Sequence, residues 1–345
     1  MKIRSLSRVA VAISALLVGA AAQAEDPEQF YNGKSLDVYI GFTAGGGYDL
    51  YGRLLAKHLR KHVPGNPNVV AKNMEGAGSL RLANWLYTIA PKDGTVIGTI
   101  ARGSAFDPLL SRPGTQFEAA KFSWIGSITN EVSVCVTWHT TGAKTIDDIK
   151  ARQVIVGAVG AGSGADDDEF PRVINGLLGT KMKVINGYPG GNEVILAMER
   201  GEVNGRCGWS WSSLKASRPS WIENHSVNIL AQLGLSKHPD LPNVPLITDL
   251  AQTDEQRQIF KLIFARQELA RPFLAPPGVP ADRLKVLRKA FMDTVRDPEF
   301  LADAARQKME VNPVPGERVQ ELVEGVYGST PPEVAKKAAA MLRVD

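Results

Sequence analysis

Three glycine-rich stretches carry the clearest chemical signal in this sequence: "FTAGGGYD", "VGAGSGAD" and "YPGGNE". Each follows a predicted strand and begins a predicted helix, so backbone N–H groups are exposed at a helix N-terminus, where an anion can bind. Glycines keep a ligand carboxylate's path to those amides open. The alternative for any one stretch is a tight turn, but three of them favour a binding site. In open α/β sheets, ligands bind at the carboxyl ends of strands, so we expect one site built between lobes.

The side chains in and near these loops have open roles. Asp49 is a candidate helix cap, or it holds the Gly45–Gly47 loop from behind the ligand. Tyr188, before Gly190, Gly191 and Asn192, stacks on a planar ligand, donates its hydroxyl, or is a core aromatic.

Two further candidates follow strands elsewhere. Arg102, followed by Gly103 and Ser104 in "TIARGSAF", is the candidate clamp on a carboxylate, or a surface arginine. In "GWSWSS" two tryptophans alternate with serines, so we expect Trp209 or Trp211 to face the cleft and the other to be packed.

The second glycine stretch runs into four acids, Asp166 to Glu169. Acids in the first turn stabilise a helix through its dipole, which is the simpler interpretation. Facing the cleft they would repel an anion, so they point to solvent, or one of them meets a cationic group on the ligand. Their spacing does not fit a calcium loop.

The search for enzyme motifs gives no indication of catalysis. Gly160, Gly162 and Ala165 formally fit a dinucleotide fingerprint, but "MKVINGY" lacks the acid expected after the next strand. No phosphate-binding loop or nucleophile elbow occurs. His58 and His62 lack the catalytic glutamate of a zinc protease helix and are interpreted as a solvated face. We expect no enzyme, no cofactor and no metal.

Residues 1–24 read as a secretory signal. Lys2, Arg4 and Arg8 precede a short apolar run, and cleavage is expected after Ala24. The net charge of +4 then falls to about +1, and no basic stripe indicates nucleic acid. The mature protein is expected to be exported and monomeric. In an oxidising compartment Cys135 and Cys207, both in strand-like contexts, are either a cross-strand disulfide or two buried thiols.

Strand-like and helix-like runs alternate along the chain, which predicts α/β architecture with mostly parallel sheets and helices on both faces. Strands are expected at 35–42, 153–159 and 182–188, and helices at 48–63 and 166–178. "WIGSITNEVSVCVTWH" reads as one long strand or two joined strands. The last hundred residues read as mostly helical.

Taken in order, several longer segments resemble the substrate-binding proteins of tripartite tricarboxylate transporters, the Bug family. They span nearly the whole mature chain: "YIGFTAGGGYDLYGRLLAKHL", "VVAKNMEGAGSLRLANWL", "APKDGTVIGTI", "VGAGSGA", "GYPGGNEVILAMERGEVNGR", "HPDLPNVPLITDL" and "FLAPPGVPADRLKVLRKAFMDTVRDPEF".

The resemblance implies a two-lobed periplasmic binding protein, type II-like, with the ligand in the interlobe cleft. We expect lobe 1 at 25–128 plus 232–345 and lobe 2 at 129–231. The family's carboxylate grip matches two loops and a glycine–serine pair here: Thr43, Ala44, Gly45, Gly46, Gly47, Tyr48 and Asp49; Tyr188, Pro189, Gly190, Gly191 and Asn192; Gly162 and Ser163.

The implied function is a periplasmic receptor that captures a small carboxylate and delivers it to a two-subunit membrane permease. Pro189 stands where the family commonly has lysine, and the acidic run and "NGRCGWSW" also depart from its pattern. The identity of the acid therefore stays open. The alternatives are a ligand sensor for a membrane regulatory protein and a secreted α/β enzyme.

Overall fold

The computed structural model describes residues 27–159 and 165–343. The predicted signal peptide, with its cleavage site, lies outside the described residues. The chain forms two mixed sheets flanked by helices, and the α/β class is confirmed. None of the helices in the described ranges is long and apolar enough to cross a bilayer.

The first sheet has six strands in the order β11-β4-β10-β3-β1-β2. Its strands are β1 Ser35–Ile40, β2 Asn68–Asn73, β3 Val96–Thr99, β4 Ser123–Ser127, β10 Pro272–Ala275 and β11 Val314–Pro315. The second sheet has five strands in the order β7-β6-β8-β5-β9. Its strands are β5 Ser133–Trp138, β6 Val154–Val159, β7 Met182–Tyr188, β8 Gly205–Ser210 and β9 Val227–Leu233.

Thirteen α-helices occur among the described residues, and they pack on these sheets. They are α1 Pro27–Tyr31, α2 Gly47–Leu59, α3 Leu80–Thr88, α4 Ile146–Ala151, α5 Asp166–Leu178, α6 Gly191–Glu199, α7 Trp211–Ser217, α8 Pro219–Glu223, α9 Asp254–Phe264, α10 Ala281–Arg296, α11 Pro298–Arg306, α12 Gly316–Ser329 and α13 Pro332–Met341. The predicted helix 166–178 has the observed bounds of α5. The predicted helix 48–63 ends at Leu59 and continues as a 3₁₀ turn.

Parallel pairing is less dominant than the alternation of elements predicts. Strand β1 pairs in parallel with β2 and β3, and β6 pairs in parallel with β7 and β8. Strands β4, β5, β9 and β10 make antiparallel pairs. The chain passes from one sheet to the other between β4 and β5 and again between β9 and β10, so no right-handed crossover within one sheet fixes the direction of these strands.

The segment "WIGSITNEVSVCVTWH" is two strands in different sheets. Strand β4 belongs to the first sheet. Strand β5 belongs to the second sheet, where it lies between β8 and β9 and is antiparallel to both. The chain returns to the first sheet between β9 and β10. We propose that the lobes divide at these two passages, as 25–128 plus 232–345 and 129–231.

Cys135 and Cys207 form a disulfide, so the bridged alternative is the observed one. They face each other directly in the antiparallel β5·β8 pair. The bond closes a loop with a sequence separation of 72 residues, which in the chain-entropy account stabilises the fold by about 4 kcal/mol. It fixes β8, whose far end reaches the cavity described next.

Candidate functional site

A cavity of about 70 Å³ lies between the two sheets, where β1, β3, β6 and β8 end. Its wall is mainly apolar and carries a few charged groups: Phe42, Gly46, Gly47, Tyr48, Ala101, Arg102, Val159, Ala165, Asp166, Asp167, Gly191, Asn192, Ile195, Arg206, Gly208, Trp209, Ser210, Ser213, Ser217 and Arg271.

The first glycine loop presents the start of α2 to this cavity. Gly45 has a φ of +80°, a conformation that favours glycine, and its N–H donates to Asp49 Oδ2 at 2.8 Å. Asp49 also accepts from Arg53 Nε and from Asn73 Nδ2. Two roles were expected for Asp49, and these contacts match the second one, in which its carboxylate holds the Gly45–Gly47 loop in place. Gly46 occupies the N-cap position without a side-chain cap.

The opposing glycine loop closes against the first one. Asn192 Nδ2 lies 3.5 Å from the carbonyl oxygen of Ala44. A Cβ placed on Gly190 would stand 1.8 Å from Thr43 Oγ1, so only glycine permits this approach. The two loops therefore shut one end of the cavity. Thr43, Ala44 and Gly190 act at this contact, outside the cavity wall.

Arg102 is buried in the wall, where it follows β3 of the first sheet and donates to α5 and to two strands of the second sheet. Its Nε donates to Asp166 Oδ2 at 2.6 Å, and its Nη2 donates to Ser133 Oγ at 2.7 Å and Ser210 Oγ at 3.1 Å. Its Nη1 is buried and has no hydrogen-bond partner among the described residues. A buried, unused guanidinium donor in a cavity wall is costly unless something accepts from it. The surface alternative for Arg102 is wrong.

Arg271, in the residue position before β10, is a second buried arginine of the wall. Its Nη2 donates to Ser213 Oγ at 2.8 Å, and its guanidinium lies 4.7 Å from the ring of Tyr48 and 5.0 Å from that of Tyr51. A Cβ on Gly47 would be 3.3 Å from Arg271 Nη2. The start of α2 and this guanidinium are therefore neighbours.

The acids after the second glycine stretch neither face solvent nor await a ligand cation, which corrects the prediction. All four lie on α5 and pair with arginines of the chain: Asp166 with Arg102, Asp167 with Arg206 at 2.7 Å, Asp168 with Arg172 at 2.9 Å, and Glu169 with Arg112 and Arg266. Burial raises the pKa of Asp167, and Arg206 opposes that rise. A buried carboxylate requires such a partner, and except for Arg172, four residues from Asp168, the partners are distant in sequence.

The predicted site residues divide into three groups. Gly46, Gly47, Tyr48, Arg102, Gly191, Asn192 and Trp209 line the cavity. Thr43, Ala44, Gly45, Asp49, Gly103, Ser104, Tyr188, Pro189 and Gly190 lie outside its wall. Gly162 and Ser163 lie outside the described residues. Tyr188 is half-buried and packs with the core of the second sheet, and burial raises its pKa.

The two tryptophans of "GWSWSS" have different environments. Trp209 lines the cavity and packs edge-on against Trp221. Trp211 is buried, and its Nε1 donates to Asp240 Oδ2 at 3.0 Å.

Sequence reasoning missed Arg206, Arg271, Phe42 and Ser213. Arg206 ends "GEVNGR" at the start of an apolar strand, and a charged residue in that position is a signal that could have marked it as a candidate. The sequence around Arg271 contains no such signal, because the residues that Arg271 contacts belong to other elements.

One histidine prediction needs correction. His58 is buried and lies 2.8 Å from Asp303, so it is no solvated face. His238 lies near Asp240 and Glu310. These three could hold a metal ion by spacing. Lys215 Nζ already lies between the two carboxylates, 2.7 Å from Asp240, and supplies the positive charge.

Comparison with known proteins shows the fold. The structure of the periplasmic binding protein BugD is 21% identical, with a TM-score of 0.71 over 89% of this chain and 98% of that one. MatC from Rhodopseudomonas palustris, solved with bound malate, is 16% identical with a TM-score of 0.69 over 90% and 99%. The resemblance to the Bug family is confirmed.

One curated relative is also similar over most of the chain. It is the "UPF0065 protein in gbd 5'region" of Cupriavidus necator, 24% identical over 320 residues and 88% of each chain. No family model matches the chain.

Proposed function

We propose that this protein is a periplasmic solute receptor that captures a small carboxylate between its lobes. One observation carries the proposal: the buried Arg102 and Arg271 and the glycine-rich start of α2 line one cavity. Guanidinium groups and helix N-terminal amides are the donors that recognise carboxylates. The solved relative MatC is described with bound malate, which supports the same ligand class here.

The proposed mechanism is binding without chemistry. The ligand carboxylate accepts from the Gly46 and Gly47 amides and from the two arginines, while Asn192 and Gly191 close the opposite side. Each charge-assisted hydrogen bond contributes about 1.5–3 kcal/mol. Because the contacts come from both lobes, the ligand favours the closed state by population shift. Delivery then requires a membrane permease of the tripartite tricarboxylate type, and we propose that the receptor acts as a monomer.

A thermal-shift and calorimetry screen of residues 25–345 tests the binding step. Carboxylates, amino acids and aromatic acids are the probes, and a ligand at 100 times its Kd adds about 2.7 kcal/mol of stability. Mass spectrometry of the recovered ligand separates receptor from enzyme, and we expect unaltered ligand. Absence of any carboxylate binding, or turnover of the ligand, contradicts the proposal.

Uptake measurements test the delivery step. Cells lacking this receptor are expected to lose uptake of the labelled ligand, with rescue by the wild-type chain. Normal uptake together with a lost transcriptional response to the ligand would instead indicate a sensor.

A further inference from the structure

Arg102 is held by a pair of serines, of which only one belongs to the cavity wall. Its Nη2 donates to Ser133 Oγ at 2.7 Å and to Ser210 Oγ at 3.1 Å. Both serines are buried, but Ser210 lines the cavity and Ser133 lies outside its wall. Ser210 is therefore placed to contact a ligand and Arg102 at the same time.

Arg271 has the same arrangement. Its Nη2 donates to Ser213 Oγ at 2.8 Å and to Ser212 Oγ at 3.4 Å. Ser213 lines the cavity, whereas Ser212 lies outside its wall and donates its hydroxyl to Glu131, which also pairs with Arg271 at 3.8 Å. A Cβ on Gly47 would collide with Ser213 Oγ, so this hydroxyl lies beside the glycine-rich start of α2.

The direction of these hydrogen bonds leaves two wall hydroxyls with protons to donate. A guanidinium group only donates, so the serine oxygen is the acceptor in each bond. Among the described residues, neither Ser210 nor Ser213 donates its hydroxyl to another group. The third serine of the wall, Ser217, donates to the carbonyl oxygen of Ser213 at 2.6 Å. Accepting from a cation also makes the O–H of Ser210 and of Ser213 a stronger donor.

Ser210 also stands at a position where a serine side chain usually has another task. It is the N-cap residue of α7, and a serine there ordinarily accepts from an amide of the first turn. Its side chain makes no capping hydrogen bond, and the N–H of Ser212 donates to Glu131 Oε1 at 3.3 Å instead. Because Glu131 satisfies this amide, the Ser210 hydroxyl is left to the cavity.

We propose that Ser210 and Ser213 are ligand-binding residues, which donate their hydroxyl protons to oxygen atoms of the bound carboxylate. This inference rests on the proposed function and names two contacts that carry its selectivity for oxygen acceptors. The arginines behind the two hydroxyls are paired with Asp166 and Glu131. They act on the ligand partly through the serines, since each guanidinium polarises the hydroxyl that makes the contact.

Calorimetry on four alanine variants tests the proposal, because each serine of the wall has a matched partner outside it. The probe is whichever of succinate, malate, butyrate and benzoate binds wild-type protein most tightly. We expect Ser210→Ala to weaken binding at least about tenfold, and Ser133→Ala, which removes an acceptor of the same arginine, less than about threefold. The same difference is expected between Ser213→Ala and Ser212→Ala.

The comparison within each pair separates contact with the ligand from support of the arginine. Equal losses within both pairs overturn the proposal, because Ser210 and Ser213 would then act only by holding Arg102 and Arg271. Unchanged affinity in Ser210→Ala and Ser213→Ala overturns it as well. Either result leaves carboxylate capture standing. Binding of none of the four acids to wild-type protein overturns the proposed function itself.

Discussion

Two buried carboxylates, Asp166 beside the cavity and Asp303 on the far side of the first lobe, have side chains that are each 8% exposed. Their partners differ. Asp166 meets Arg102 and Arg266, which are 3% and 0% exposed. Asp303 meets Lys57 and Arg306, which are 65% and 68% exposed, and the buried His58.

The difference shows that the effect of removing a buried acid depends more on how exposed its partners are than on how deeply the acid itself is buried. When Asp303 is removed, its cationic partners can turn to water. The partners of Asp166 cannot, because both are buried within the protein. Charges that cannot rehydrate stay fixed in place, which is what a binding site requires.

The largest effect is expected from Asp166→Ala. It leaves two buried guanidinium groups without this carboxylate, so the free energy of unfolding should fall by about 3–5 kcal/mol. Urea unfolding monitored by tryptophan fluorescence measures it. A loss no larger than that of Asp303→Ala would remove the contrast between the two acids.

Gly46→Val should weaken binding on the order of 100-fold, about 2.7 kcal/mol, with an intact fold. The new side chain enters the cavity, while its Cβ would meet only the carbonyl oxygen of Thr43 at 3.7 Å. Calorimetry with the tightest-binding carboxylate of the screen measures the loss. Gly325→Val, where a Cβ meets nothing within 4 Å, is the control and should leave affinity unchanged. Unchanged affinity in Gly46→Val would place the ligand elsewhere.

Asp303→Ala should cost about 1–2 kcal/mol of unfolding free energy and leave ligand affinity alone. Since the lysine and arginine partners are exposed, the cost should shrink as sodium chloride screens them. Denaturant titrations at low and high salt measure both effects. A changed ligand affinity would show that the two charge clusters are coupled.

The smallest effect is expected for the pH dependence of the free energy of unfolding when His58 is replaced. Burial, with help from Lys61 and Lys57, lowers the pKa of His58 below its usual value. The unfolded chain therefore binds the proton more readily, so stability is present above about pH 6.5 and falls as the pH drops below it. His58→Gln should flatten that fall between pH 7 and 5, measured by urea unfolding, whereas the exposed His139→Gln should not.

The local sequence predicted much of the scaffold. Alternating apolar runs with capping and glycine signals fix where β1, β6 and β7 lie and give the bounds of α5, because these depend on periodicity over a few residues. The Gly45–Gly47 loop could be found for the same reason, since a strand, glycines and a helix in succession expose amides wherever they occur. The Asp49 contact to that loop spans only four residues, which is why its role could be expected.

The tertiary structure alone decided which charges meet. Asp167 and Arg206 are 39 residues apart, Glu169 and Arg266 are 97 apart, and Arg271 reaches the start of α2 only because β10 returns from the second lobe to pair beside β3. A lone arginine or acid carries no local signal for its partner, because the energy of burying it is settled by whatever the fold brings within about 4 Å. The sequence by itself thus determined the glycine loops at the helix starts, and the fold determined which charges surround the cavity.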